Sequence, residues 1–365
     1  MRINYFSSFF LFIATTAFVF ASNDPGDLKG RYTKEKKIKK EYTVNADAML
    51  KINNSYGNVD VTSWGENRVV IEVTVRTNGN NEEKVAEKLD DIDVVFDASS
   101  GLVSATTKID KENRSWWNSW NNNNNVNMEI NYLIKVPATN RIDLNNDYGA
   151  IFLNRIEGQA KISCDYGKLE LGELLADNNY LSFDYTNNST IGYMKSGKIN
   201  ADYSGFTLEK ADYVELNADY TKSTINNVKS INYVCDYGNL TVDNTSKVVG
   251  RGDYLSLRLG TVSGDINLNA DYGSIKINNL TSQAGDVVIQ TDYAGIKVGY
   301  SSNYHFTFTI ELEYAGLGGE DDFEITKKRI ESSDKYYEGF YGDASSKNNI
   351  NINSEYGGVN FNKVD

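Results

Sequence analysis

The chain has 365 residues, and its 37 lysines and arginines face 50 aspartates and glutamates for a net charge of −13. That balance excludes a phosphate-backbone partner, because nucleic-acid binding rests on a basic footprint. The length admits one large domain or two ordinary ones, and two prolines beside 29 glycines and 25 tyrosines point to strands and turns.

The N-terminus, MRINYFSSFFLFIATTAFVFAS, carries Arg2, an apolar run from Phe9 to Phe20 and the small-residue pattern Val19-Phe20-Ala21. It reads as a secretory signal over 1–21, cut after Ala21. An uncleaved anchor is the alternative, and no cysteine follows the run to take a lipid. No later stretch is long and apolar enough to span a bilayer. The basic run KGRYTKEKKIKK at 29–40 reads as a solvated leader, with anionic lipid or polysaccharide as its functional alternative.

A first copy of a recurring phrase, Ser55-Tyr56-Gly57, comes next. Arg68–Thr77 alternates as a long strand, and 81–90 (NEEKVAEKLD) predicts a short helix with acidic residues in its first turn. Strand-like runs follow at 92–97, 102–109 and 127–136. Residues 22–140 are therefore expected to form the first coil and a β-rich N-terminal cap with one helix, covering a sheet edge that would otherwise lie bare. Within them, SWWNSWNNNNN at 115–125 places Trp116, Trp117 and Trp120 on a loop. They are candidate ligand contacts, for a sugar or a membrane surface, against the plainer reading of a locally packed loop.

From 141 the phrase takes over. Asp-Tyr pairs begin at Asp147, Asp165, Asp184, Asp202, Asp219, Asp236, Asp253, Asp271 and Asp292, with Glu313-Tyr314 and Glu355-Tyr356 after them. Apolar columns flank the acidic position: Ile142, Val214, Ile231 and Ile266 five before it, Leu144, Ile162, Leu181 and Ile199 three before, Ile151, Leu169, Leu240 and Ile275 four after, Leu153, Leu171, Val242 and Ile277 six after. Each unit is two half-buried strands with the phase broken at a corner. One unit cannot bury its apolar face alone, whereas stacked units can. The expected fold is all-β, a parallel β-solenoid of 17–21-residue coils over 141–315. Residues 316–365 hold an excursion or cap followed by a final coil at 350–361.

The corner phrase is read as architecture. Glycine is expected to supply a positive φ, and the acidic side chain to point outward and cap the turn two residues on. Strand parity carries the tyrosines inward, with an outward tyrosine stripe as the alternative. Cys164 and Cys235 fall in one column four coils apart, too far to bridge, so both are expected to be free, buried thiols.

Chemical sites are sparse. The stacked carboxylates Asp202, Asp219, Asp236 and Asp253 are a candidate cation ladder, with calcium the suited ion, although turn capping accounts for them as well. His305 is the one histidine, expected on a strand face with nothing marking a partner. Paired carboxylates cannot be singled out where every coil supplies one. No catalytic residue or cofactor is expected. Arg251-Gly252-Asp253 spells a receptor-read tripeptide whose aspartate is simply that of the repeat.

The phrases LKINNSYGNVDVTSW, NEEKVAEKLDDI, YLIKVPATNRIDLNNDYGAI and NININSEYGGV, with the coil repeats, resemble a bacterial putative-adhesin family of β-strand-repeat proteins. The resemblance implies a right-handed parallel β-solenoid. It transfers no functional residue, and this chain has tyrosine at the corner where many relatives have asparagine. The expected role is an exported, non-enzymatic, adhesin-like protein whose partner is a surface or envelope protein or a glycan. The alternatives are a periplasmic scaffold binding envelope partners and a polysaccharide-acting β-helix enzyme.

Overall fold

The computed structural model describes residues 29–109 and 126–364. Its architecture is all-β with one helix, and its strands lie in a many-stranded, unclosed sheet with both parallel and antiparallel pairings. The apolar columns become buried rows. Ile162, Leu181, Ile199 and Leu216 are wholly buried from one side of the corner, as are Leu169, Leu208, Val242 and Leu259 from the other.

Two parallel ladders meet at the Asp-Tyr corner. The first joins strands ending at the acidic residue, with Ile162 against Leu144 and Leu181, Leu181 against Ile199, and Leu268 against Ile289. The second joins strands that follow the corner, with Leu169 against Ile151, Leu208 against Ile225, and Ile275 against Ile296. In the middle of the chain one long strand serves both ladders, as in Gly205–Asn217 and Lys222–Val234.

The early copy belongs to this stack. Met49–Ser55 pairs in register with Arg141–Asp147 across the 92-residue separation between their tyrosines. Beyond it one more parallel strand joins each ladder, Leu102–Ile109 on Met49–Ser55 and Asn127–Pro137 on Val59–Trp64. The pairing then turns antiparallel: Arg68–Gly79 lies between Asn127–Pro137 and Tyr32–Thr43. The helix forms as expected, Glu82–Asp90, capped by Asn81, whose side chain accepts from the Lys84 N–H at 3.0 Å. Val85 is its buried contact, and Thr77 Oγ1 donates to the Val85 carbonyl at 2.8 Å.

Two expectations are corrected. The basic run at 29–40 is not a solvated leader. Most of it is the strand Tyr32–Thr43, which among the described residues pairs only with Arg68–Gly79. Its alternating lysines and glutamates give a charged, half-exposed edge that repels further strand addition.

Residues 316–347, which the sequence left open between an excursion and a cap, hold a hairpin, Glu324–Glu331 with Asp334–Tyr341, laid antiparallel on Phe306–Glu313. The outer strand, EITKKRIE, is again a charged edge. Beneath it Tyr300, Phe306, Phe308, Phe323 and Phe361 close the core with edge, tilted and stacked ring contacts at 5.0–6.4 Å.

The second correction is order. The last repeat in sequence is not the last in space. Asn349–Glu355 pairs with Val287–Asp292 on one side and Phe306–Glu313 on the other. The chain therefore skips one level, builds the hairpin, and returns to fill the gap.

Candidate functional site

The corner itself is the most repeated surface feature. At every rung the tyrosine, not the glycine, takes the positive φ: Tyr56, Tyr148, Tyr166, Tyr185, Tyr203, Tyr220, Tyr237, Tyr254, Tyr272, Tyr293, Tyr314 and Tyr356 all lie between 49° and 64°. One left-handed residue between two strands reverses their alternation, so the inward expectation fails and the rings emerge 40–59% exposed.

The glycine that follows serves another need. A Cβ on Gly167 would stand 2.0 Å from the Gly149 carbonyl oxygen, so it permits close approach of successive rungs. Where the rung is Ser204 or Thr221 instead, the hydroxyl joins the ladder, as when Thr221 Oγ1 donates to the Ala201 carbonyl at 2.8 Å.

The acidic residue does not cap its own turn either. Its carboxylate accepts the backbone N–H of the acidic residue one rung on: Asp202 to Asp184 at 3.0 Å, Asp219 to Asp202 at 3.1 Å, Asp236 to Asp219 at 3.0 Å, Asp253 to Asp236 at 2.8 Å. Its carbonyl accepts the tyrosine N–H of the rung before, as Asp236 does from Tyr220 at 3.0 Å. Asp-Tyr is thus an inter-rung clamp using both backbone and side chain.

That clamp brings the rings into one file. Tyr56, 148, 166, 185, 203, 220, 237, 254, 272, 293, 356 and 314 stack in that order at 4.6–5.2 Å, with planes within 9° of parallel. Each ring within the file has both faces covered by neighbours, and the end rings Tyr56 and Tyr314 have one. The file therefore shows ring edges and phenol groups, and among the described residues none of the twelve hydroxyls has a hydrogen-bond partner. Burial against the stack comes first in pushing the Tyr166, Tyr237, Tyr272 and Tyr356 phenols upward, with the neighbouring tyrosines next.

Beside the file runs the carboxylate column. Burial, then Asp165, raises Asp147; burial, then the charges of Asp165 and Asp202, raises Asp184 against the lowering hydrogen bond from the Asp202 N–H; burial, then Asp236 and Asp271, raises Asp253. Glu355 is raised first by the charge of Asp292.

The four cation-ladder candidates Asp202, Asp219, Asp236 and Asp253 do fall on successive rungs, each with a carboxylate oxygen engaged by backbone. Among the described residues no three or more potential ligands gather as a metal site. Cys164 and Cys235 are free and buried, in one column, and burial pushes both thiols up to about 12.

His305 precedes its strand and is exposed, contrary to the strand-face expectation. Arg251-Gly252-Asp253 lies within the strand Asn239–Asp253, its aspartate part of the clamp. Trp116, Trp117 and Trp120 lie outside the described residues.

No family model and no curated protein matches the chain. Solved structures similar to it include a putative adhesin from Parabacteroides distasonis, 12% identical, covering 74% of this chain and 93% of that one with a TM-score of 0.33. A putative adhesin from Parabacteroides merdae is 11% identical, covering 90% and 97% with a TM-score of 0.30. A third, named a putative lipid binding protein, from Parabacteroides distasonis, is 9% identical, covering 90% and 97% with a TM-score of 0.29. Among the described residues no helix is long and apolar enough to cross a membrane.

Proposed function

We propose that this chain is an exported, non-enzymatic, adhesin-like protein of the cell surface, and that its stacked repeats form a rigid, right-handed parallel β-solenoid rod. The tyrosine file carries the reading. Twelve exposed rings in one file, their hydroxyls without partners among the described residues, offer the amphipathic edges that recognition surfaces favour. No one ring makes a pocket. A rod of equivalent weak contacts instead acts through avidity, the second and later contacts being effectively intramolecular. The carboxylates beside the file are engaged in inter-rung hydrogen bonds, which favours a structural task for them over acid–base catalysis.

The test is attachment. Beads bearing the purified chain are presented to intact envelopes and extracellular matrix, beside beads bearing a variant with Tyr203, Tyr220, Tyr237 and Tyr254 replaced by asparagine. Asparagine accepts the left-handed conformation, so the rod should persist. Loss of attachment with unchanged circular dichroism supports the reading; equal attachment of both bead sets refutes it.

A further inference from the structure

Away from the tyrosine file, the second ladder carries another outward row. Its pairing register runs Thr190, Thr207, Thr224, Thr241, Arg258, Lys276, Lys297 and Asn360, one residue on each of eight successive rungs. Arg258, Lys276 and Lys297 are exposed, and none has an ion-pair partner among the described residues. In a chain of net charge −13 three consecutive unpaired cations are a local reversal of sign.

Lys276 and Lys297 also border a shallow open groove of about 510 Å³, lined besides by Ser274, Gly295, Gly316 and Gly358. Gly295 and Gly316 have nothing within 4 Å of a side-chain position, so the groove is open above them.

We propose that this row is a docking track for a linear acidic polysaccharide, its sugar carboxylates on Arg258, Lys276 and Lys297 and its hydroxyls along the threonines. The row advances one rung at a time, with a pitch of about 4.8 Å set by strand spacing. An extended sugar chain carrying one acid per residue repeats on a similar length. Cations meet the carboxylates in charge-assisted hydrogen bonds. The four threonine hydroxyls continue the same line as neutral donors and acceptors. A groove this shallow suits the edge of a flat polymer. The inference rests on the surface-interaction reading but uses a different row of residues, so tyrosine variants test that reading and variants of this row test the track.

The probe is a fluorescein-labelled mannuronate octamer, titrated with the purified chain in divalent-free buffer and followed by anisotropy. Neutral mannose octamer and anionic phospholipid vesicles are parallel arms. The wild type is expected to bind the acidic octamer, more weakly as salt rises, and to leave the neutral one free. Arg258→Gln/Lys276→Gln/Lys297→Gln should weaken binding at least tenfold. Gly295→Phe, whose Cβ would have nothing within 4 Å, should weaken it severalfold at unchanged thermal stability. Lys51→Gln/Lys161→Gln, on the other ladder, should bind as the wild type does. The proposal is overturned if the triple variant binds like the wild type, if the neutral octamer binds equally, if the wild type does not bind the acidic octamer, or if vesicles are bound and the octamer is not.

Discussion

Replacing Tyr220 separates the two opposed energies of the corner. Its ring lies between those of Tyr203 and Tyr237, at 4.8 and 4.9 Å, and its backbone sits at φ 52°. Two stacked pairs are together worth roughly 1–3 kcal/mol beyond the area they bury. Against this, a left-handed conformation costs an ordinary residue about 1–2 kcal/mol, and asparagine less. Tyr220→Ala loses the stacking and keeps the strain, so it should destabilise by about 1–3 kcal/mol. Tyr220→Asn loses the same stacking and relieves strain, so it should be about 1 kcal/mol milder than alanine. Tyr220→Phe should fall within about 0.5 kcal/mol of the wild type, because the lost hydroxyl faces solvent. Urea unfolding followed by far-ultraviolet circular dichroism reads all three. A double-mutant cycle adds the geometry: Tyr203→Ala with Tyr220→Ala should be non-additive, while Tyr203→Ala with Tyr254→Ala should be additive. Equal effects of alanine and asparagine would refute the strain argument, and additivity for the adjacent pair would refute the stack.

Asp184→Asn keeps an oxygen to accept the Asp202 N–H and removes a charge lying between Asp165 and Asp202. Its carboxyl is raised in the folded protein, so its contribution favours folding below the unfolded carboxylate range and is lost as pH rises through the raised value. The variant should therefore be more stable than the wild type at pH 7, by roughly 0.5 kcal/mol after solvent screening, and the two should converge as pH falls toward about 3.5. A pH series of melting temperatures with the opposite trend would remove the repulsion argument. Gly167→Ala should destabilise by about 2–4 kcal/mol, since its new methyl meets backbone at the Gly149 carbonyl rather than a flexible side chain. Denaturation midpoints like the wild type's would disprove the close approach. Cys164 and Cys235 should resist a thiol reagent at pH 8 in the native protein and both react on unfolding. Fast native labelling would place them at the surface.

The rungs were legible because their signal is periodic. Columns such as Ile162–Leu181–Ile199 alternate with polar residues, and burial follows from that pattern wherever both flanks stay extended. The tyrosine direction was not legible by counting, because one left-handed residue inverts parity and the assumption that glycine holds the positive φ moved the break by one place. The exchange of rungs near the C-terminus was hidden for a different reason. The strand 349–355 has the same local pattern as any other, and its level is fixed only by the hairpin 324–341 that blocks the end. The two lysine-rich edges could have been read from alternation, since KEKKIKK places isoleucine and lysine in strand register rather than as a solvated run. The polar track needed the pairing itself, because Thr190 and Asn360 share a row only through seven intervening registers.

The most direct test of the account is tyrosine labelling with a membrane-impermeant diazonium reagent, on intact cells and on lysed ones, mapped by mass spectrometry. The account expects Tyr203, Tyr220, Tyr237 and Tyr254 to be modified on intact cells, with the buried Tyr132, Tyr233 and Tyr304 spared in both samples. Modification of the file only after lysis would contradict a surface adhesin, and sparing of the file in the purified chain would contradict an outward tyrosine row.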